Sequence, residues 1–80
     1  MIEVEVRTNK GQIDAVACCE NCVFIFEFKL NKSAAEAMEQ IRSRDYYQKY
    51  RLCGKSVFLL GVSIDTEKGE LLEWLVERER

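Results

Sequence analysis

The sequence predicts an α/β domain: a mixed, mainly antiparallel sheet of about five strands with one crossover helix, in the order βββαββ. Three observations predict it. The first thirty residues hold three apolar-rich runs separated by short polar turns. A single segment with helical apolar spacing follows, introduced by a helix-start signal. After it comes the continuous apolar run "SVFLLGVSI", which suits a strand covered on both faces and reached by a right-handed crossover.

Taken in order, "IEVEVRT" is the first strand, ended by Asn9-Lys10-Gly11, where glycine supplies the positive φ of a turn. "QIDAVACC" is the second and "CVFIFEFKL" the third, with Glu20-Asn21 between them. A two-residue loop pairs Cys19 with Cys22, and counting back places Asp14 opposite Glu27 and Gln12 opposite Lys29. Asp14, Glu27 and Lys29 then share one face at one end of the hairpin, below an apolar patch of Val16, Cys18, Val23 and Ile25. The other face of the third strand carries Phe24, Phe26, Phe28 and Leu30, so the strand reads as buried on both sides, with one end opening into a polar pocket. Ser33 followed by Glu36 is a capping box. Ala34, Ala37, Met38 and Ile41 face the sheet from the helix, which is expected to end near Gly54. "GELLEWLVERER" reads as a last strand, although its Glu-Leu-Leu-Glu stretch would also suit a helix.

Eighty residues make one domain at most, spanning 1–80, and a chain this short buries only about 60% of its unfolded surface. Apolar content of 48% with 32% charged residues fits a soluble globular class. No run approaches the ~20 apolar residues of a membrane span, and the acidic start "MIEVEV" is unlike a signal peptide; a cytoplasmic location is expected. The net charge of −2 gives no global pull toward nucleic acid. Residues 29–55, however, hold seven basic against three acidic side chains, a basic stretch that would meet phosphates or simply form a solvated helix face. Cys19 and Cys22 have the spacing of half a zinc knuckle, but there is no histidine and no second pair, with Cys53 distant. Reduced, buried cysteines are the expectation.

Two facing carboxylates repel, and one takes up a proton unless a cation lies between them. Mg²⁺ or Mn²⁺ suits such a pair, since hard ions accept one or two carboxylates together with waters and phosphate oxygens. A lysine two positions from Glu27 would orient or deprotonate a water for attack on a phosphodiester. The competing reading is an exposed cross-strand ion cluster worth ~1 kcal/mol.

"GQID", then "FIFEFKL", then a helix carrying "QIRSRDYYQKY" resembles the PD-(D/E)xK nuclease superfamily, in particular the variant at the C-terminal end of bacterial and archaeal proteins with a predicted AAA ATPase-like region. The resemblance covers essentially the whole chain. It implies a restriction-endonuclease-like minimal core and a Mg²⁺-dependent nuclease acting on DNA. By resemblance, Asp14 and Glu27 would be metal ligands, Lys29 the catalytic lysine and Gln40 a helix residue reaching toward the site. Phe28 would face the core without chemistry. Two departures stand out. Ile13 occupies the proline position of the motif, and the chain starts at the first strand, without the superfamily's leading helix and its acidic ligand. Glu3 and Glu5 do not replace that ligand if Val4 and Val6 face the core. The uncovered surface implies either a fragment of a larger chain or a homo-oligomer. The alternative function is a catalytically inactive nuclease-like remnant serving as a binding or oligomerisation module. Tyr46, Tyr47 and Tyr50, beside Arg44, Lys49 and Arg51, would pack the helix end or stack bases. Trp74 reads as core or interface.

Overall fold

A computed structural model of the chain describes residues 3–9, 12–44, 50 and 52–79, and for residues 7–9, 12, 13 and 44 the backbone alone. Five strands and one helix follow one another: β1 (Glu3–Asn9), β2 (Gln12–Cys18), β3 (Cys22–Leu30), α1 (Ala34–Arg44), β4 (Ser56–Asp65) and β5 (Glu70–Glu79). The strands form one sheet in the order β1-β2-β3-β4-β5, antiparallel except for the parallel β3–β4 pair. This is the expected mixed α/β topology, and the last segment is a strand. Its helix-like Glu-Leu-Leu-Glu stretch is overridden because β5 pairs with β4 from Glu70 to Glu79, with one bulge at Leu72.

The helix starts where the capping box predicts, with the Glu36 backbone N–H donating to Ser33 Oγ at 3.1 Å. Ala34, Ala37, Met38 and Ile41 are all buried against the sheet. With Val16, Val23, Ile25, Val57 and Leu59 they make the core, and Cys18 and Tyr50 pack at its edge. Each fully buried aliphatic side chain here is worth about 1.5–3 kcal/mol. Lys10 and Gly11 of the first turn, and residues 45–49 and 51 ahead of the expected helix end, with Tyr46, Tyr47, Lys49 and Arg51 among them, lie outside the described residues.

The other face of the sheet differs from expectation. Phe24, Phe26 and Phe28 of β3 and Phe58 and Leu60 of β4 are only half-buried, and Leu30 is exposed. No described element packs over them, so β3 and β4 are covered by a helix on one side only. Phe28 therefore belongs to this open face and not to the core. The edge strands continue the pattern, with Val4, Val6, Trp74 and Val76 54–64% exposed; Trp74 is accordingly not a core residue. What buries the phenylalanines in part is one another: Phe24 stacks on Phe58 at 5.1 Å between centroids and Phe26 lies 6.0 Å from Phe28.

Candidate active site

The β2–β3 hairpin sets the site's geometry. Its two-residue turn closes with the Cys19 N–H donating to the Cys22 carbonyl at 2.8 Å, and the ladder then pairs Cys18 with Val23, Val16 with Ile25 and Asp14 with Glu27. Directly opposed residues project their side chains to one face, about 4.5–5.5 Å apart at Cβ. The two carboxylates are thus neighbours on the helix side of the sheet. Glu27 is fully buried, with both carboxylate oxygens out of reach of solvent, while Asp14 is half-buried.

Lys29, two residues beyond Glu27 on the same face, is 7% exposed, and its Nζ donates to Gln40 Oε1 at 3.1 Å. Gln40 comes from the second turn of α1, so the helix that seals the apolar core also brings an amide onto the lysine. These two residues line an open hollow of about 340 Å³ together with Lys32, Glu36, Glu39 and Ser43. Asp14 and Glu27 are not among its lining residues. Asp14, Glu27 and Lys29 fall on one side of the sheet, as the hairpin count placed them, and Gln40 approaches from the helix on that side.

Glu3 and Glu5 require a correction. The β1–β2 register pairs Glu3 with Cys18 and Glu5 with Val16, which puts both glutamates on the face of Asp14. Val4 and Val6 instead pair with Ala17 and Ala15 on the open face. The expectation assumed that the valines seek the core, but on β1 the apolar side chains join the uncovered aromatic surface. Glu5 is exposed. Among the described residues no group of three or more His, Cys, Asp or Glu side chains stands close enough to hold a metal ion.

Several residues that no motif singled out hold the site in place. Glu73 on β5 accepts the Ala34 N–H at 2.8 Å and so caps α1 from 39 residues away. Ser63, buried and the register partner of Lys29, donates its hydroxyl to the Lys32 carbonyl. Asn31, at φ 59°, donates to Thr66 Oγ1 at 2.8 Å and accepts the Thr66 N–H at 3.1 Å. Together these fix the β3–α1 junction against the β4–β5 hairpin. Glu73→Ala is expected to lower stability by about 1 kcal/mol, read as an earlier urea midpoint. Glu73→Gln, which keeps an acceptor, should recover most of it; an unshifted midpoint for the alanine variant would rule out the capping role.

The basic stretch offers less to a phosphate than its charge suggests. Arg42 pairs with Glu77 and, at 2.7 Å, with Glu79, and these two carboxylates raise its pKa further. Lys55 donates to the Cys19 carbonyl at 3.0 Å. Lys32 is exposed beside the hollow. Cys18, Cys19 and Cys22 are free and half-buried and Cys53 is exposed, so burial is less complete than expected. A hydrogen bond to Cys19, and then burial, push the Cys22 thiol pKa up.

A family model described as the PD-(D/E)XK nuclease superfamily matches residues 1–74. The chain belongs to that superfamily. It is also 31% identical over 78 residues to the uncharacterized protein in the vnfD 5' region of Azotobacter chroococcum mcd 1, an alignment covering 95% of this chain and 15% of that relative. The chain thus spans about a seventh of the length of the curated relative it matches. No solved structure matches. The superfamily's five-stranded mixed sheet with a crossover helix is the fold described above, and its nuclease character implies nucleic-acid binding and divalent metal as general features. Among the described residues no helix is long and apolar enough to cross a membrane.

The Asp14–Glu27 donor pair fits a hard divalent ion. A fully buried carboxylate costs several kcal/mol unless positive charge or donors meet it, and Glu27 is placed directly opposite a second carboxylate. Two carboxylates are what Mg²⁺ or Mn²⁺ takes from a protein when waters and phosphate oxygens complete an octahedron. The set lacks the nitrogen and sulfur ligands of a zinc centre.

Proposed function

We propose that this domain is a Mg²⁺- or Mn²⁺-dependent nuclease that hydrolyses DNA phosphodiester bonds, with Asp14 and Glu27 as metal ligands, Lys29 as the catalytic lysine and Gln40 as its positioning partner. The observation that carries the reading is the pairing of Asp14 with Glu27 across the hairpin, with the buried Lys29 two residues along on the same face, in a chain of the PD-(D/E)XK superfamily.

When bound by the two carboxylates, a divalent ion supplies Lewis acidity to the phosphate and offsets charge developing on its oxygens. Lys29 orients the attacking water; as the water oxygen bonds to phosphorus and the P–O bond to the leaving group breaks, the ammonium gives a proton to the leaving oxygen and is restored by the proton the water loses. An ammonium carries three N–H groups, so the bond to Gln40 occupies one and fixes the direction of the others. Lys32, exposed at the rim of the hollow, is a cation among the described residues that would meet a neighbouring backbone phosphate. With Arg42 held by Glu77 and Glu79, few cations among the described residues are left for the duplex, which predicts weak binding with a shallow salt dependence. Linkage to an ATPase-like region belongs to the same proposal and rests on the resemblance of "GQID", "FIFEFKL" and "QIRSRDYYQKY"; the relative, of which this chain spans 15%, supports a longer parent chain. A cytoplasmic setting is also proposed, on the absence of a membrane-length apolar run in the sequence.

Isothermal titration with Mn²⁺ tests the centre of the reading. Saturable binding to the native chain, lost in Asp14→Ala and in Glu27→Ala, is expected. No binding to a correctly folded native chain would instead make the domain an inactive remnant, a reading that the open apolar face also suits.

A further inference from the structure

We infer that Arg42, held between Glu77 and Glu79 of β5, is a positioning residue for Lys29: the clamp stops α1 from rolling on the sheet and so keeps the Gln40 amide on the Lys29 amine. The inference deepens the nuclease reading and rests on it for what Lys29 does. Every residue it uses lies on the helix-covered side of the sheet.

Helical geometry is the first argument. Residues two apart stand about 200° apart around a helix of about 3.6 residues per turn. Gln40 and Arg42 therefore leave α1 on opposite flanks of the stripe of Ala34, Ala37, Met38 and Ile41, which is buried against the sheet. On the β3 flank Gln40 accepts from Lys29 Nζ at 3.1 Å. On the β5 flank Arg42 donates to Glu79 at 2.7 Å and also to Glu77. One tether carries the chemistry, and the other opposes it across the helix axis.

The seat beneath the helix does little to fix its angle. Ala34 and Ala37 lie over Gly61, where even a Cβ would stand 2.5 Å from the Ala34 carbonyl oxygen. Small side chains let backbones approach closely but raise no ridges to interlock, and only Met38 and Ile41 add longer ones to the stripe. A side chain about 5 Å from the axis moves about 1.3 Å when the helix rolls by about 15°. A hydrogen bond of 3.1 Å does not survive that displacement.

The last strand is built to oppose such a roll. Its register pairs Glu73 with Ser63, Glu77 with Leu59 and Glu79 with Val57, three β4 residues that are buried under the helix. Directly opposed residues share a face, so three carboxylates stand on the helix side of β5, where alternation over a core would place apolar side chains. Glu73 takes the Ala34 N–H at the start of α1. Glu77 and Glu79 take a guanidinium in its last turns, where a cation also meets the negative end of the helix. Both ends of α1 are thus tied to β5. A planar fork that reaches two carboxylates fixes a direction, which a single ammonium does not.

The test reads the Lys29 ammonium directly by nuclear magnetic resonance on the isotope-labelled chain, so it holds whether or not DNA is cleaved. Arg42→Met keeps the stem and deletes the guanidinium. It should speed exchange of the Lys29 ammonium protons with water by about tenfold or more, as the bond to Gln40 opens. Arg42→Lys, a charge without the fork, should fall between. The double variant Glu77→Gln with Glu79→Gln should repeat the effect from the β5 side, and it serves where Arg42→Met misfolds. Melting should shift by only a few degrees, since exposed ion pairs contribute little; a merely structural role would lower it and leave the ammonium unmoved. In cleavage, kcat should fall by about 10–100-fold at nearly constant KM. Native exchange at Lys29 in both the Arg42→Met and the double glutamine variants would overturn the inference. A native chain that does not cleave would end the nuclease reading instead, and the ammonium would still decide whether the clamp positions Lys29.

Discussion

Replacing Lys29 by alanine is expected to reduce DNA cleavage by about 10²–10⁴-fold, the usual contribution of a positioned proton-transfer group, while Mn²⁺ binding stays intact. The separation follows from the geometry. Lys29 is buried beside Glu27 but spends its amine on Gln40, so removing it should leave the carboxylates in place. Alanine also removes an apolar stem, so Lys29→Met is the cleaner variant. It keeps the length and packing of the side chain and deletes only the ammonium. If both variants lose activity equally and melt close to the native temperature, the amine is responsible. Gln40→Ala should fall between, lowering kcat with little change in KM because it releases Lys29 without deleting it. Cleavage at the native rate by Lys29→Met would end the catalytic assignment, whatever the metal titration shows.

The part of the site that was legible in the sequence is the part with local causes. A two-residue loop fixes a hairpin's register, and from Glu20-Asn21 the pairing of Asp14 with Glu27 follows by counting. The helix start was legible for the same reason, since Ser33 and Glu36 lie three residues apart. Gln40 came into view only through resemblance to a family, because its bond to Lys29 depends on how α1 is laid across β3. Glu73, Ser63 and the Asn31–Thr66 clasp were not legible at all. Each joins segments more than 30 residues apart, and no local pattern marks such a contact. The aromatic face misled in another way. Phe24, Phe26 and Phe28 read as buried on hydrophobicity, which reports what gains by leaving water and not which element covers it. The same inference placed Glu3 and Glu5 away from Asp14, by assigning the β1 valines to the wrong apolar surface.

Gly61→Ala is expected to cost about 1–3 kcal/mol, a fall in melting temperature of about 4–8 °C for each kcal/mol in a domain of this size. Gly61 is the β4 register partner of Glu27 and lies under the first turns of α1. A Cβ there would stand 2.5 Å from the Ala34 carbonyl oxygen and 2.9 Å from the Met38 nitrogen. Both are main-chain atoms, so no side-chain rotation relieves the contact and the helix itself must move off the sheet. That movement cannot stay local. Ala34 is held by Glu73 at the same end of the helix, and Gln40 lies only two residues beyond Met38, so lifting α1 strains the cap and withdraws the amide from Lys29. Stability and cleavage should therefore fall together in Gly61→Ala, whereas Lys29→Met separates them. A variant that melts at the native temperature would show that α1 is not seated on Gly61. One that melts early yet cleaves at the native rate would show that the contact between Gln40 and Lys29 is not what positions the lysine.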